Sequence, residues 1–269
     1  MTPHVQRWVT GATVGPIVLA IIYFGTEVLF AALVIAAVLM ACIEYNRMAF
    51  GKEFSWEKGT VLFSAAMIPA AAFLGGECLL VASFTALAAI IFLIFLWNIR
   101  KMKQITIIPI SKVFFALVYL PLMVSHFLFI RQWENGILWI FFIFILTVCG
   151  DIAAFYFGRT LGRHKLYPQV SPAKTVEGAI GSFTGSVLAC VLYSMFVLPS
   201  LPLIHALILA SVGSCFAQLG DLCESAIKRS AGIKDSGNIL PGHGGMMDRL
   251  DSLIFLAPFV YYYRIYLIP

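Results

Sequence analysis

Residues 137–157 read ILWIFFIFILTVCGDIAAFYF, 21 residues with one charged side chain, Asp151. A helix needs about 20 predominantly apolar residues to cross the hydrocarbon core of a bilayer, so this stretch is a membrane span. A carboxylate inside such a span is costly and marks function more often than packing. The rest of the chain has the same character: 269 residues, 61% hydrophobic, 12% charged, mean hydropathy +0.95. That charge fraction is about half the soluble average. The fold class expected is an all-α polytopic membrane protein.

Apolar stretches bounded by charges, Gly and Pro place nine spans, near residues 8–24, 27–43, 60–76, 78–97, 107–130, 137–157, 176–198, 203–227 and 252–268. Gly25-Thr26-Glu27 separates the first two, and Gly75-Gly76-Glu77 the third and fourth, so each pair reads as a helical hairpin. Nine spans use roughly 180 residues and leave roughly 90, which excludes a soluble nucleotide-binding unit of ordinary domain size. We divide the chain at 1–130, five spans for scaffold and lipid access, and 131–269, a catalytic region of four spans and two cytoplasmic loops. The first apolar stretch lacks a convincing cleavage site and reads as a retained span. The six cysteines stand singly, without metal-ligand spacing, and read as small core residues.

Lys and Arg test the count, because cytoplasmic loops are enriched in them. With the N-terminus and alternate loops on one side, 15 of the 18 fall there; Lys112, Arg131 and Arg264 are the remainder. This places the N-terminus in the cytoplasm and the C-terminus outside. The net charge of +5 is concentrated on one face, which orients the chain and attracts anionic headgroups. No inverted repeat of the transporter kind is evident.

The intramembrane carboxylates converge. Asp151 lies in the cytoplasmic half of the sixth span, Asp221 and Glu224 in that of the eighth, and Asp248 and Asp251 at the cytoplasmic start of the ninth. In the eighth span Ser211, Ser214, Gln218, Asp221, Ser225 and Lys228 recur every three or four residues, on one helix face. Such an excess of carboxylates calls for a cation, and oxygen ligands select Mg²⁺ or a similar hard metal. Two loops carry anion-binding groups. One has Lys228-Arg229, Lys234-Asp235 and Pro241-Gly-His243-Gly244-Gly245 before Asp248-Arg249-Leu-Asp251, its glycines freeing backbone N–H groups to approach an anion. His243 either donates to a phosphate or caps the turn. The other has Arg163-His-Lys165 and Ser171-Pro-Ala-Lys174-Thr175-Val-Glu177-Gly178, with Lys174-Thr175 at a helix N-terminus suited to phosphate. Glu177 supports that site or only caps the helix. Gly178, Gly181 and Gly185 form a small face for close helix packing.

The run from Ser225 through Lys228-Arg229, Lys234-Asp235, Gly237, Pro241-Gly-His243-Gly244-Gly245 to Asp248-Arg249-Leu-Asp251 resembles the signature of the phosphatidate cytidylyltransferase (CDP-diacylglycerol synthase) family. Ser171 to Gly178 and Gly220-Asp221 with Glu224-Ser225 resemble it too, so the likeness covers roughly the C-terminal half. The resemblance implies a reaction: CTP and phosphatidic acid give CDP-diacylglycerol and pyrophosphate. It also implies a Mg²⁺ requirement, a second monovalent cation such as K⁺, a homodimer, and a site at the cytoplasmic face of the inner membrane, open to lipid. No nucleic-acid partner is expected. On this reading Asp221, Asp248, Lys228 and Arg229 are catalytic, and Asp221, Asp248, Asp251 and Glu224 hold metal. Ser171, Lys174, Thr175, Ser225, Lys228, Arg229, Lys234, Asp235, His243, Gly244, Gly245 and Arg249 bind substrate, with Asp151 and Glu177 in support. Two other classes share parts of the pattern: a cation transporter, whose ions would bind near the midplane between repeats, and a CTP-using lipid kinase that transfers the γ-phosphoryl group.

Overall fold

The computed structural model describes residues 3–51, 53, 55–100, 105–237 and 244–268, residues 3–10 by backbone alone. Its helices are α1 (Pro3–Phe24), α2 (Glu27–Phe50), α3 (Trp56–Ile99), α4 (Ile108–Leu117), α5 (Met123–Arg131), α6 (Gly136–Thr160), α7 (Val176–Phe196), α8 (Leu203–Ser230) and α9 (Met247–Leu267). Two short strands, β1 (Lys165–Tyr167) and β2 (Ser171–Thr175), precede α7. The chain is an integral membrane protein, nearly all α. Large apolar side chains stand exposed on its helices, among them Leu74 (76%), Ile180 (57%) and Phe196 (79%), where a soluble protein would place polar groups.

Among the described residues, six helical segments are long and apolar enough to cross a membrane: α2, α3, the composite Ile108–Arg131, α6, α7 and α8. Three of the nine expected spans do not stand as separate segments among these six. α3 runs 44 residues through Gly75 and Gly76, whose non-helical backbone joins two helical halves without a separate loop. Of α1 (Pro3–Phe24), side chains are described only from Gly11, which leaves the apolar helix Gly11–Phe24. α9 carries Asp248, Arg249, Asp251 and Arg264 within 21 residues.

The chain divides into two compact units, Met1–Phe129 with Asp235–Met247, and Ile130–Lys234 with Asp248–Pro269. In the first, Thr26 caps α2 by accepting from the Leu29 N–H, so the Gly25-Thr26 turn starts the helix as its sequence suggests. α2 buries Val34, Val38, Ala41 and Cys42 on one stripe, and the Tyr45 hydroxyl donates to the Lys112 carbonyl of α4 at 2.9 Å. Between α4 and α5 the backbone widens into a π turn over Val118–Leu122, which contains Pro121. Proline lacks the N–H that a regular helix needs there, and Ser125 and His126 hydrogen-bond the nearby carbonyls of Pro121 and Leu122.

In the second unit α6 and α7 pack closely because their interface is small. A Cβ on Gly185 would lie 2.5 Å from that of Ala153, one on Gly181 would meet the Phe157 ring, and one on Gly150 would meet the Ser186 hydroxyl. Ser186 donates across the interface to the Leu146 carbonyl at 2.7 Å. α8 approaches α9 at Gly220, against the Asp251 carbonyl, and through the stacked Phe216 and Phe259 rings.

The β1–β2 hairpin corrects the expectation of an irregular loop. Lys165 pairs with Thr175 and Tyr167 with Ser171 in an antiparallel ladder, closed by a turn in which the Val170 N–H donates to the Tyr167 carbonyl. β1 has only three residues, and the five of β2, SPAKT, do not alternate apolar with polar.

Candidate active site

The hairpin delivers Lys174 and Thr175 to the start of α7. Thr175 is the N-cap, its Oγ1 accepting from the Gly178 N–H at 3.1 Å. The same oxygen is the nearest atom to where a Cβ would stand on Gly158 or Gly178, so glycine lets the end of α6 close on the start of α7. Glu177 faces back along the chain: its carboxylate accepts from the Arg163 and His164 backbone N–H groups and pairs with His164 Nδ1 at 2.7 Å. It therefore clamps the hairpin entrance. Ser171 is half-buried in β2.

Lys174 Nζ lies 2.5 Å from Asp221 Oδ2 on α8. Two turns further along α8, Lys228 pairs with Glu224 on its own helix and, at 2.6 Å, with Asp248 of α9. Ser225 is half-buried on the α8 face that carries Asp221 and Lys228. Gln218 on that face donates to the Ala179 carbonyl and the Ser214 hydroxyl, both at 3.3 Å. The polar stripe of α8 thus faces protein.

Asp251 accepts from the Ser252 N–H at 2.6 Å. It interacts electrostatically with Asp221, Asp151 and Lys228, and Asp151 interacts with Asp221, Lys174 and Arg249. Five carboxylates therefore share one electrostatic cluster with three cations, Lys174, Lys228 and Arg249. Formally, two negative charges are left over, which is the charge of one divalent cation. Asp151, Lys174 and Asp221 also line a cavity of about 420 Å³, bounded by Leu146, Ser182 and Leu222 among others. Its walls are apolar with a few polar groups converging, the usual character of a small-molecule site.

A family model described as the cytidylyltransferase family matches residues 5–267. The chain belongs to that family. A phosphatidate cytidylyltransferase of Bacillus subtilis (strain 168) is 39% identical to it over 176 residues, 64% of each chain. One from Staphylococcus epidermidis (strain ATCC 35984) is 36% identical over 183 residues, covering 68% of this chain and 70% of the relative. One from Staphylococcus saprophyticus is 46% identical over 125 residues, 46% and 48% of the two chains.

For this cytidylyltransferase-family chain, the expected metal ligands are divided: Asp221 pairs with Lys174, Asp248 and Glu224 pair with Lys228, and Asp251 accepts from the Ser252 N–H. Among the described residues, no group of three or more His, Cys, Asp or Glu side chains is arranged to hold a metal ion. The donor chemistry and the charge excess suit a hard cation, while Lys174 and Lys228 stand against Asp221, Asp248 and Glu224. Arg229 is turned to structure: its guanidinium donates to the Val170 carbonyl at 3.2 Å and the Ile233 carbonyl at 2.9 Å, joining the hairpin turn to the end of α8. Lys234, Asp235 and Arg249 are exposed. His243 lies outside the described residues.

In the other unit, Gly244 has a left-handed backbone (φ +80°) that favours glycine, and Gly245 packs on a carboxylate that sequence reading passed over, Glu44 of α2. The signal was a carboxylate at the end of an apolar stretch. Placing the second span's end at residue 43 left Glu44 among the polar residues flanking it.

Proposed function

We propose that the chain is a phosphatidate cytidylyltransferase, a membrane nucleotidyltransferase that makes CDP-diacylglycerol and pyrophosphate from CTP and phosphatidic acid for phospholipid synthesis. The observation that carries this reading is the Lys174–Asp221 pair at a mostly apolar cavity, with the Lys228–Asp248–Glu224 set further along α8, in a chain of the cytidylyltransferase family. The phosphatidate phosphate attacks the α-phosphorus of CTP in line and expels pyrophosphate. A phosphate monoester has its second pKa near 6, so the nucleophile is largely dianionic at neutral pH and requires no strong general base. The barrier is repulsion between anions, and catalysis consists of positioning and charge neutralisation.

Lys174 and Lys228 supply that neutralisation, each moving its ammonium from a carboxylate to a phosphate oxygen. Arg249 and Lys234 steady the triphosphate, as do the backbone N–H groups of the Gly244-Gly245 turn. Arg229 and Glu177 hold the chain segments that carry these groups. Asp221, Asp248 and Asp251, with Glu224 and Asp151 in support, are the residues that would hold Mg²⁺; bound there, it would add positive charge to the phosphates of both substrates. A monovalent ion such as K⁺ belongs to the same reading.

The finer topology is also part of the proposal: nine spans, N-terminus cytoplasmic, C-terminus outside, a homodimer of the inner membrane with the site facing the cytoplasm. The one-sided distribution of Lys and Arg supports the orientation. One incubation tests the reaction, with purified protein, Mg²⁺, phosphatidic acid and CTP labelled either in the base or at the γ-phosphate. Base label in lipid is the expected result. γ-Label in lipid would mean a lipid kinase, and no label in lipid would refute both.

A further inference from the structure

Glu44 lies on α2, fully buried, yet no step of the proposed reaction uses it. Its Oε1 accepts the Met246 backbone N–H at 2.9 Å; its Oε2 accepts the Met247 N–H and the Ser236 hydroxyl, both at 2.9 Å. The donors come from both sides of the segment 238–243. Two glycines complete the enclosure: a Cβ at Gly237 would lie 2.6 Å from Glu44 Oε1, and one at Gly245 would overlap Glu44 Oε2 and Ser236 Oγ. Glycine is required there for close approach. The anion that the Met246 and Met247 amides meet is a carboxylate of the protein itself.

We propose that Glu44 is a positioning residue: it holds Ser236 and the backbone of Gly245–Met247 in place, so that the Gly244-Gly245 N–H groups are presented to the CTP triphosphate. This rests on the function proposed above. A carboxylate suits the task because it offers only acceptors, and all three neighbours are donors. Buried charge-assisted hydrogen bonds of this kind are stronger than neutral ones. Glutamine has the same shape but must turn its NH₂ group toward at least one of those donors.

The test is Glu44→Gln, with Ser236→Ala as a milder variant that leaves both amide hydrogen bonds in place. Two readouts are taken on full-length protein in micelles: hydrogen exchange at the Met246 and Met247 amides, and separate KM values for CTP and phosphatidic acid. Protected amides in the unaltered protein are expected to lose protection in Glu44→Gln. The KM for CTP is expected to rise about tenfold, equivalent to about 1.4 kcal/mol, with the KM for phosphatidic acid unchanged, and Ser236→Ala should shift it in the same direction by less. A merely structural role would lower the active fraction and leave both KM values alone; that result, or equal shifts in both, overturns the proposal. If Glu44→Gln does not fold, Ser236→Ala decides by the same split. If the unaltered protein transfers no cytidylyl group, the functional reading fails, and the exchange data still decide whether Glu44 clamps the segment.

Discussion

Replacing Lys228 with Met and Lys174 with Met removes the same charge from two ion-paired sites that differ in burial. Lys228 is 12% exposed, and its partners Glu224 and Asp248 are 0% and 11% exposed. Lys174 and Asp221 are 26% and 32% exposed. Removing one member of a buried ion pair leaves an uncompensated charge and costs about 3–5 kcal/mol, and Lys228→Met leaves two carboxylates facing one another. Solvent screens the outer pair, so Lys174→Met should cost about 1 kcal/mol or less. The gap of about 3 kcal/mol corresponds to a melting difference on the order of 10 °C for a chain of this size. Both variants should lose most cytidylyl transfer, because each lysine is assigned to a phosphate. Adding Glu224→Gln to Lys228→Met restores the charge balance of the buried set and should recover most of the lost melting temperature, but little activity. Thermal melting in detergent with a base-labelled CTP assay measures both effects. Equal melting of the two single variants, or no recovery in the double variant, would refute the assignment of Lys228 as the counter-charge of a buried pair.

Three further outcomes are expected. Asp248→Asn should abolish CDP-diacylglycerol formation while the protein extracts normally, whereas Lys103→Ala should leave turnover unchanged; near-normal turnover in Asp248→Asn would remove that carboxylate from the site. Thr175→Val retains bulk but loses the α7 cap, and a melting curve should record a loss of about 1 kcal/mol. Gly185→Val places a side chain where only 2.5 Å separates a Cβ from Ala153, and overpacking of about 1–3 kcal/mol should appear as a lower melting point and poorer extraction.

How much of this was legible in the sequence differs by element. Length and hydropathy carry the helices, because a bilayer imposes one length and one composition on every span. The three-and-four spacing from Ser211 to Lys228 predicts the inward face of α8 found in the structure. Spacing does not say which charge a lysine will meet: Lys174 stands against Asp221, and Lys228 against Asp248 and Glu224. Glu44 and its donors are about 200 residues apart in sequence, beyond any local pattern. The hairpin was hidden because β1 has only three residues and β2 carries no apolar–polar alternation.

The pairing of Glu224 with Lys228 four residues later on α8 bears on how this protein enters the membrane. A helix inserting from the ribosome brings its charges into the bilayer before any neighbour is in place. An acid and a base one turn apart on the same helix neutralise one another within α8, whether or not Asp248 is in place. Asp248 of α9 then meets a lysine that α8 already holds through Glu224.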